Sequence, residues 1–365
     1  IGILSGTTAF GKTIVAIKLI AEKKVNTLIL VDKISLLSQW KEKLSDFLVV
    51  NEPLPEQPET VSKKRGRKKK IDIIGHRGAA GLAPENTLSA FKKACEIGPD
   101  AIELDVLLTG DGKIAVHHDY TLKPEITRTP DGEWLNRPGP LISELTLANL
   151  KTYDVGRLKT GTRYSHRYPA QQPVDGERIP TLAEVISLIK SKCDPATQLW
   201  IEIKTNPEKP DLTPAPETVA AAVVQLLRMQ NFTGRVRILS FDWRVLAHIQ
   251  KLTPEIPTVY LSLEGKSLNN IKTGRPGASP WMAGLDIDDF SGSLPQAVKA
   301  AGGRHWAPFY KHLTYDLLNE AHALGIQVFV WTPDKPSDMV RLIEMGIDGI
   351  ITNRPDILRS IVSKR

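Results

Sequence analysis

Glu103 and Asp105 stand two residues apart in an apolar run, 101–108. Alternate residues of a strand share a face. This spacing therefore aims two carboxylates at one point, as a hard divalent cation requires. An earlier apolar run, 71–74, ends in His76-Arg77-Gly78, and another, 113–118, ends in His118-Asp119. One imidazole can take a proton while a second gives one, and a guanidinium clamps an anion through paired N–H groups. Glu202 interrupts the apolar run 199–203, two residues before Lys204. Burying that charge costs roughly several kcal/mol unless it meets a cation. With Glu103 and Asp105 it would complete a three-carboxylate site for Mg²⁺ or Ca²⁺; the alternative is a buried ion pair with Lys204. A metal, two imidazoles and a guanidinium together suit phosphoryl chemistry.

Something must hold these groups at one place. From Ile71 onward, short apolar strands alternate with helical stretches. Strands are expected at 71–75, 101–106, 198–203, 236–240, 258–262, 304–308, 327–331 and 349–352. Helices are expected at 86–96, 216–229, 243–251, 294–301, 314–324, 337–345 and 356–362. Eight strands alternating with helices point to an α/β fold, a (β/α)₈ TIM barrel. In such barrels the chemistry sits at the C-terminal ends of the strands. Those ends present His76-Arg77, Glu103 and Asp105, Glu202 and Lys204, then Ser240-Phe241-Asp242, Trp331 and Asn353.

The run ending in His118 does not fit the alternation. Only Thr109-Gly110-Asp111-Gly112 separates it from the second strand, and a parallel crossover needs roughly ten or more residues. It must turn back as a hairpin, within an insertion at about 107–180 above the barrel mouth. That insertion is rich in Pro, Gly, Arg and Tyr and has no clean period.

Residues 1–50 are a different kind of sequence. A short apolar strand leads into Gly6-Thr7-Thr8-Ala9-Phe10-Gly11-Lys12-Thr13, which fits G-x-x-x-x-G-K-[ST]. Gly11, Lys12 and Thr13 are the candidate nucleotide-binding residues: the loop wraps phosphates, the lysine meets the terminal phosphates, and the threonine is offered to Mg²⁺. This stretch resembles the start of the first motor lobe of superfamily-2 helicases. No Asp-Glu-x-x motif follows in 14–70, and a working motor also needs an arginine finger and a second lobe. We therefore expect an incomplete, vestigial P-loop α/β fragment without ATP turnover. Residues 51–70 form a linker, Pro- and Glu-rich and then basic. Seven Lys and Arg among residues 63–70 equal the whole formal charge of +7, so the rest of the chain is neutral. Any nucleic-acid contact is expected through 63–70 alone.

The 41% apolar content suffices for a real core, and no apolar run approaches the length of a membrane span. A chain beginning at Ile1 rather than Met is expected to lack its natural N-terminus, so a missing signal peptide says nothing of compartment. A cytoplasmic location is the expectation, with a periplasmic or secreted one left open. Two cysteines, Cys95 and Cys193, are expected to be buried, reduced and helical. His166, His248, His305, His312 and His322 have no partner pattern and read as structural or solvated, and His117 should face away from His118 by alternation.

His76-Arg77-Gly78, Pro84-Glu85-Asn86-Thr87, Glu103-x-Asp105, His118-Asp119, Glu202-x-Lys204, Val330-Trp331-Thr332 and Asp348-Gly349-Ile350-Ile351-Thr352 occur in that order. Together they look like the glycerophosphodiester phosphodiesterase family, over residues 71–365. The resemblance implies a barrel with a small insertion after the second strand. It implies metal-dependent hydrolysis of glycerophosphodiesters to sn-glycerol 3-phosphate and an alcohol. Glu103, Asp105 and Glu202 would bind the metal, and His76 and His118 would be base and acid, in an order left open. Arg77 and Lys204 would hold the phosphate. Glu85 would support His76 or the metal shell, with Asn86 and Asp119 as further supporting residues. Trp331 would either wall the glycerol site or cap the core. The attacking group would be the glycerol 2-hydroxyl, through a cyclic phosphate that water opens. Two rivals stand: a lipid-directed phosphodiesterase of the same fold, phospholipase C- or D-like, and an ATP- or nucleic-acid-binding module in residues 1–70.

Overall fold

A computed structural model describes residues 69–266 and 268–364. The P-loop positions Gly11, Lys12 and Thr13, and the linker up to residue 68, lie outside the described residues.

Eight parallel strands close on themselves. They are β1 (Asp72–Gly75), β2 (Ala101–Leu108), β4 (Gln198–Ile203), β5 (Val236–Ser240), β6 (Thr258–Ser262), β7 (His305–Pro308), β8 (Gln327–Trp331) and β9 (Gly349–Thr352). Each pairs with the next, and β1 pairs with both β2 and β9, so the eight strands form a closed barrel. The short β3 (Ile114–Val116) runs antiparallel to β2, with Val106 opposite Val116. It is the hairpin that so short a connection, residues 109–113, forces.

Helices cover the outside: α1 (Leu88–Ile97), α2 (Leu147–Leu150), α3 (Leu182–Lys192), α4 (Pro216–Met229), α5 (Trp243–Leu252), α6 (Leu294–Ala300), α7 (Tyr315–Ala323), α8 (Pro336–Met345) and α9 (Pro355–Ser363). Their start signals are local. Thr87 caps α1 by accepting from Ala90 N at 3.2 Å, and Thr181 with Glu184 makes a capping box on α3. The helix α3 is absent from the sequence-based list, although Thr181-x-x-Glu184 marks its start.

Period-two alternation divides the core in two. Along β4, Leu199, Ile201 and Ile203 face the helices, while Trp200 packs inside the barrel against Phe329, ring centroids 4.8 Å apart. Truncating so large a buried ring to Ala costs about 3–5 kcal/mol. Two residues beyond Trp200, the same inward face presents Glu202. The rule repeats: Ala101 leads to Glu103 and Asp105, Ile74 to His76, Leu239 to Phe241, Phe329 to Trp331, and Ile351 to Asn353. The apolar floor of the barrel thus gives way to polar groups at the strand ends.

The segment between β3 and α3 carries its own small core, including Leu107, Leu122, Ile142, Leu150 and Ile179. The two cysteines differ from expectation. Cys95 on α1 and Cys193 at the end of α3 are half-buried and form a disulfide, Cα atoms 4.7 Å apart. The chain brings adjacent helices together there, a proximity that a separation of 98 residues does not reveal.

Candidate active site

The strand ends and the β3 hairpin open onto one cavity of about 220 Å³. His76, Arg77, Glu103, His118, Glu202 and Lys204 all line it. Glu103, Asp105 and Glu202 each offer a carboxylate oxygen, all within 4.8 Å of one another, and all three side chains are buried. Register makes this convergence: Asp105 lies beside Glu202 on neighbouring parallel strands.

The electrostatics of the three acids fit a cation. Burial, with the charges of Asp105 and Glu202, pushes Glu103 well above the usual carboxylate range. Burial pushes Glu202 up to about 7, against the pull of Lys204. Burial also acts against the charge on Asp105, yet Lys204, His118 and Arg77 hold its carboxyl well below normal. Lys204 meets only part of this demand. Its Nζ hydrogen-bonds Glu202 and lies 2.9 Å from Asp105 Oδ1. Three hard oxygen donors in a dry site, two of them strained toward protonation, form a donor set suited to a divalent cation.

Arg77 sits at φ 49°, a left-handed conformation that costs a non-glycine residue roughly 1–2 kcal/mol. The bend turns its backbone N–H onto Glu103 Oε2 at 2.8 Å. Gly78 follows at φ 85°, where an added Cβ would meet the Ala90 backbone at 2.7 Å. The Arg77 guanidinium is buried: Nη1 donates to Glu85 Oε1 at 2.7 Å, and Nε lies 3.4 Å from Asp105 Oδ2 without making a hydrogen bond. Glu85 therefore serves Arg77 rather than His76 or the acidic cluster, and it also accepts from the Tyr164 hydroxyl. Asn86, also left-handed at φ 56°, donates to Asp105 Oδ2 at 2.9 Å.

The two imidazoles have different partners. Asn353 donates through Nδ2 to Asp334 Oδ2 at 2.7 Å, so its Oδ1 is the acceptor for His76 Nδ1 at 2.7 Å. The Nε2 lone pair of His76 is left toward the cavity, 3.9 Å from Glu103 Oε2. Burial and the Arg77 charge pull His76 down to about 3. His118 Nδ1 donates instead to a carboxylate, Asp119 Oδ1, at 3.0 Å. Burial opposes the charge on Asp119, but the bond and charge of His118 outweigh it and hold Asp119 below its usual range. His118 is itself lowered by burial, Arg77 and Lys204. His117 is buried away from the cavity, its backbone N–H bonded to Asp105 O at 3.0 Å.

Trp331 lines the cavity and packs edge-on against Phe241, ring centroids 5.5 Å apart. Its indole N–H donates to Ala307 O at 2.9 Å. Lys123, Tyr164, Arg167 and Tyr168 reach the cavity from the aperiodic segment after β3. Sequence reasoning missed them, as it missed Asp334 behind Asn353. No periodic pattern places such residues, and only their density of Arg and Tyr marked the segment.

Residues 76–357 match the family model described as the glycerophosphoryl diester phosphodiesterase family. Residues 1–93 match a model described as the type III restriction enzyme res subunit. A glycerophosphodiester phosphodiesterase of Caldanaerobacter subterraneus subsp. tengcongensis is 33% identical over 292 residues, covering 80% of this chain and 98% of that protein. A Bacillus subtilis protein of the same name is 30% identical over 298 residues, covering 80% and 86%. A crystal structure from Silicibacter pomeroyi DSS-3, described under the same family name, superposes with a TM-score of 0.72 at 34% identity, covering 82% of this chain and 95% of that one. A phosphodiesterase from Oleispira antarctica, solved with its product sn-glycerol-3-phosphate, shares the fold at 24% identity and a TM-score of 0.58. On the span of the family match and the closeness of the Caldanaerobacter relative, the chain belongs to the glycerophosphoryl diester phosphodiesterase family.

Proposed function

We propose that residues 71–365 hydrolyse glycerophosphodiesters to sn-glycerol 3-phosphate and an alcohol. The observation that carries this reading is the convergence of three buried carboxylates, two Nε2 atoms and two cations on one cavity of about 220 Å³. A cavity of that size suits a phosphate carrying glycerol and a short alcohol, which favours a deacylated substrate over an intact lipid. No helix among the described residues is long and apolar enough to cross a membrane.

Glu103, Asp105 and Glu202 would hold Mg²⁺ or Ca²⁺. When bound, such an ion offsets the charge building on the phosphate oxygens and orients the diester. Arg77 and Lys204 bind the non-bridging oxygens.

His76 is the base and His118 the acid in the first step. The Asn353 amide fixes the His76 tautomer but adds no charge to favour imidazolium, whereas Asp119 stabilises imidazolium at His118. His76 Nε2 takes the proton of the attacking glycerol 2-hydroxyl, and His118 Nε2 gives one to the leaving alkoxide. Water then opens the cyclic phosphate with the roles reversed: His118 takes its proton, and His76 returns one to the 2-oxygen. Both rings end as they began. Trp331 and Phe241 wall the glycerol side.

The test is turnover of glycerophosphoglycerol against an intact diacyl phospholipid, across a titration of Mg²⁺ and Ca²⁺, with Glu202→Gln as control. Turnover of the deacylated diester that depends on cation and Glu202 is expected. Hydrolysis of the intact lipid alone, or none at all, would overturn the reading.

For residues 1–50 we propose a helicase-derived P-loop fragment without ATP turnover, consistent with the res-subunit match. The disulfide between Cys95 and Cys193 supports an oxidising compartment over the cytoplasm.

A further inference from the structure

We propose that Lys123 and Arg167 form a head-group subsite that disfavours cationic alcohols such as choline and favours neutral or anionic ones. The proposal rests on the phosphodiesterase reading above.

The cavity has two unlike linings. Phe241, Leu261 and Trp331 give the barrel side an apolar wall. Lys123, Tyr164, Arg167 and Tyr168 bring cations and phenols to the cavity from the segment after β3. His76 is anchored to the barrel through Asn353, whereas His118 lies two residues beyond the end of β3 and precedes Lys123 by one short loop. The alcohol that His118 protonates therefore departs past Lys123 and Arg167.

Aromatic faces are the usual receptors for a quaternary ammonium. Those of Tyr164 and Tyr168 are already taken. Lys123 Nζ lies 3.9 Å from the centroid of the Tyr164 ring. The Arg167 guanidinium carbon lies 5.7 Å from the same ring and 5.8 Å from that of Tyr168. The two rings meet edge to face, centroids 5.4 Å apart, which leaves the pair compact. Asp119 answers Lys123 at 3.5 Å but also accepts from His118 at 3.0 Å, so one carboxylate is shared between two cationic partners. A choline group arriving here meets two like charges over the rings it would seek. A polyol hydroxyl, a carboxylate or a second phosphate meets donors instead.

A plain steering role for these cations makes a different prediction. Long-range attraction acts on the diester charge, which every substrate carries. It would raise all substrates alike and leave the head group unread.

The experiment isolates the head-group charge. Using the full chain with its divalent cation, kcat/KM is measured for glycerophosphocholine and for its neutral isostere, the 3,3-dimethylbutyl ester. A phosphorylated glycerophosphoinositol serves as the anionic member. We expect the neutral isostere to exceed the choline ester by on the order of tenfold, with the anionic ester at least equal to the isostere. In Lys123→Glu and Arg167→Glu, the ratio should swing toward choline, with thermal unfolding confirming the fold. Equal rates for choline ester and isostere, or variants that change both in proportion, would overturn the subsite while leaving the phosphodiesterase reading intact. No turnover of any of the three would overturn both.

Discussion

Asn353 accepts from Nδ1 of His76 at 2.7 Å, and Asp334 holds the amide of Asn353 in the orientation that requires. The chain of contacts fixes the imidazole tautomer without adding charge next to it. Asn353→Ala should therefore lower kcat by about 10–100-fold while changing KM little, since the ring remains but its presentation is lost. Direct removal in His76→Ala or His118→Ala should cost about 10²–10⁴. Steady-state kinetics on one glycerophosphodiester separates the two tiers. Equal losses in Asn353→Ala and His76→Ala would make Asn353 more than a positioning residue.

The acidic cluster makes the cation-free protein sensitive to pH. Burial raises Glu202 to about 7 from an ordinary value of 4.5. Between those values the folded form keeps a proton that the unfolded form has released. The contribution of Glu202 to stability is therefore full below about 4.5, falls as pH rises toward 7, and levels off above it, by on the order of 1–3 kcal/mol. The difference in thermal stability between wild type and Glu202→Gln across pH 5–8 in chelator should show the decline, because buried His76 contributes the opposite slope to both proteins over the same range. Saturating divalent cation should flatten that difference. A difference that rises with pH would contradict the burial of that charge.

Glu85 is the main carboxylate partner of Arg77, at 2.7 Å from Nη1 against 3.4 Å between Asp105 and Nε. Glu85→Ala leaves a buried guanidinium short of charge and should destabilise the fold by about 3–5 kcal/mol. Tyr164→Phe removes a neutral hydroxyl from the same carboxylate and should cost only about 1 kcal/mol. Chemical denaturation of both variants checks the order. Comparable losses would mean that Tyr164, not Glu85, sets the position of Arg77.

The bond between Cys95 and Cys193 closes a loop of 98 residues that contains the whole segment bearing His118, Lys123 and Arg167. Cys95→Ser should lower unfolding free energy by about 2–4 kcal/mol. Neither sulfur lines the catalytic cavity, so kcat/KM at a temperature well below unfolding should stay near wild type. Denaturation with and without reductant provides the measurement. A wild-type protein whose stability ignores reductant would refute the crosslink.

Lys12 stands in the G-x-x-x-x-G-K-[ST] pattern of residues 6–13. Lys12→Ala should leave phosphodiester hydrolysis unchanged, and the parent chain should release no phosphate from ATP with or without DNA. A DNA-stimulated, Lys12-dependent ATPase would show that the N-terminal segment is a working motor.

Much of the barrel was written in local pattern. Strands buried on both faces read as apolar runs, and the inward charges at Glu103, Asp105 and Glu202 stood out because such positions otherwise exclude charge. The five-residue link, 109–113, before β3 forced a hairpin on steric grounds alone. The type and spacing of residues thus determined the barrel, the acids and the histidines. Tertiary structure decided which partners they meet. The bond of Asn353 to His76 spans 277 residues, and that of Tyr164 to Glu85 spans 79. The cysteine pairing joins two helices whose sequences each read as complete. Lys123, Arg167 and the tyrosines sit in aperiodic chain whose course is set by its packing, through Leu107, Leu122 and Ile142, onto the end of β2. Period and propensity act within a few residues, whereas a hydrogen bond or a stacked cation is specified only once distant chain ends are brought together.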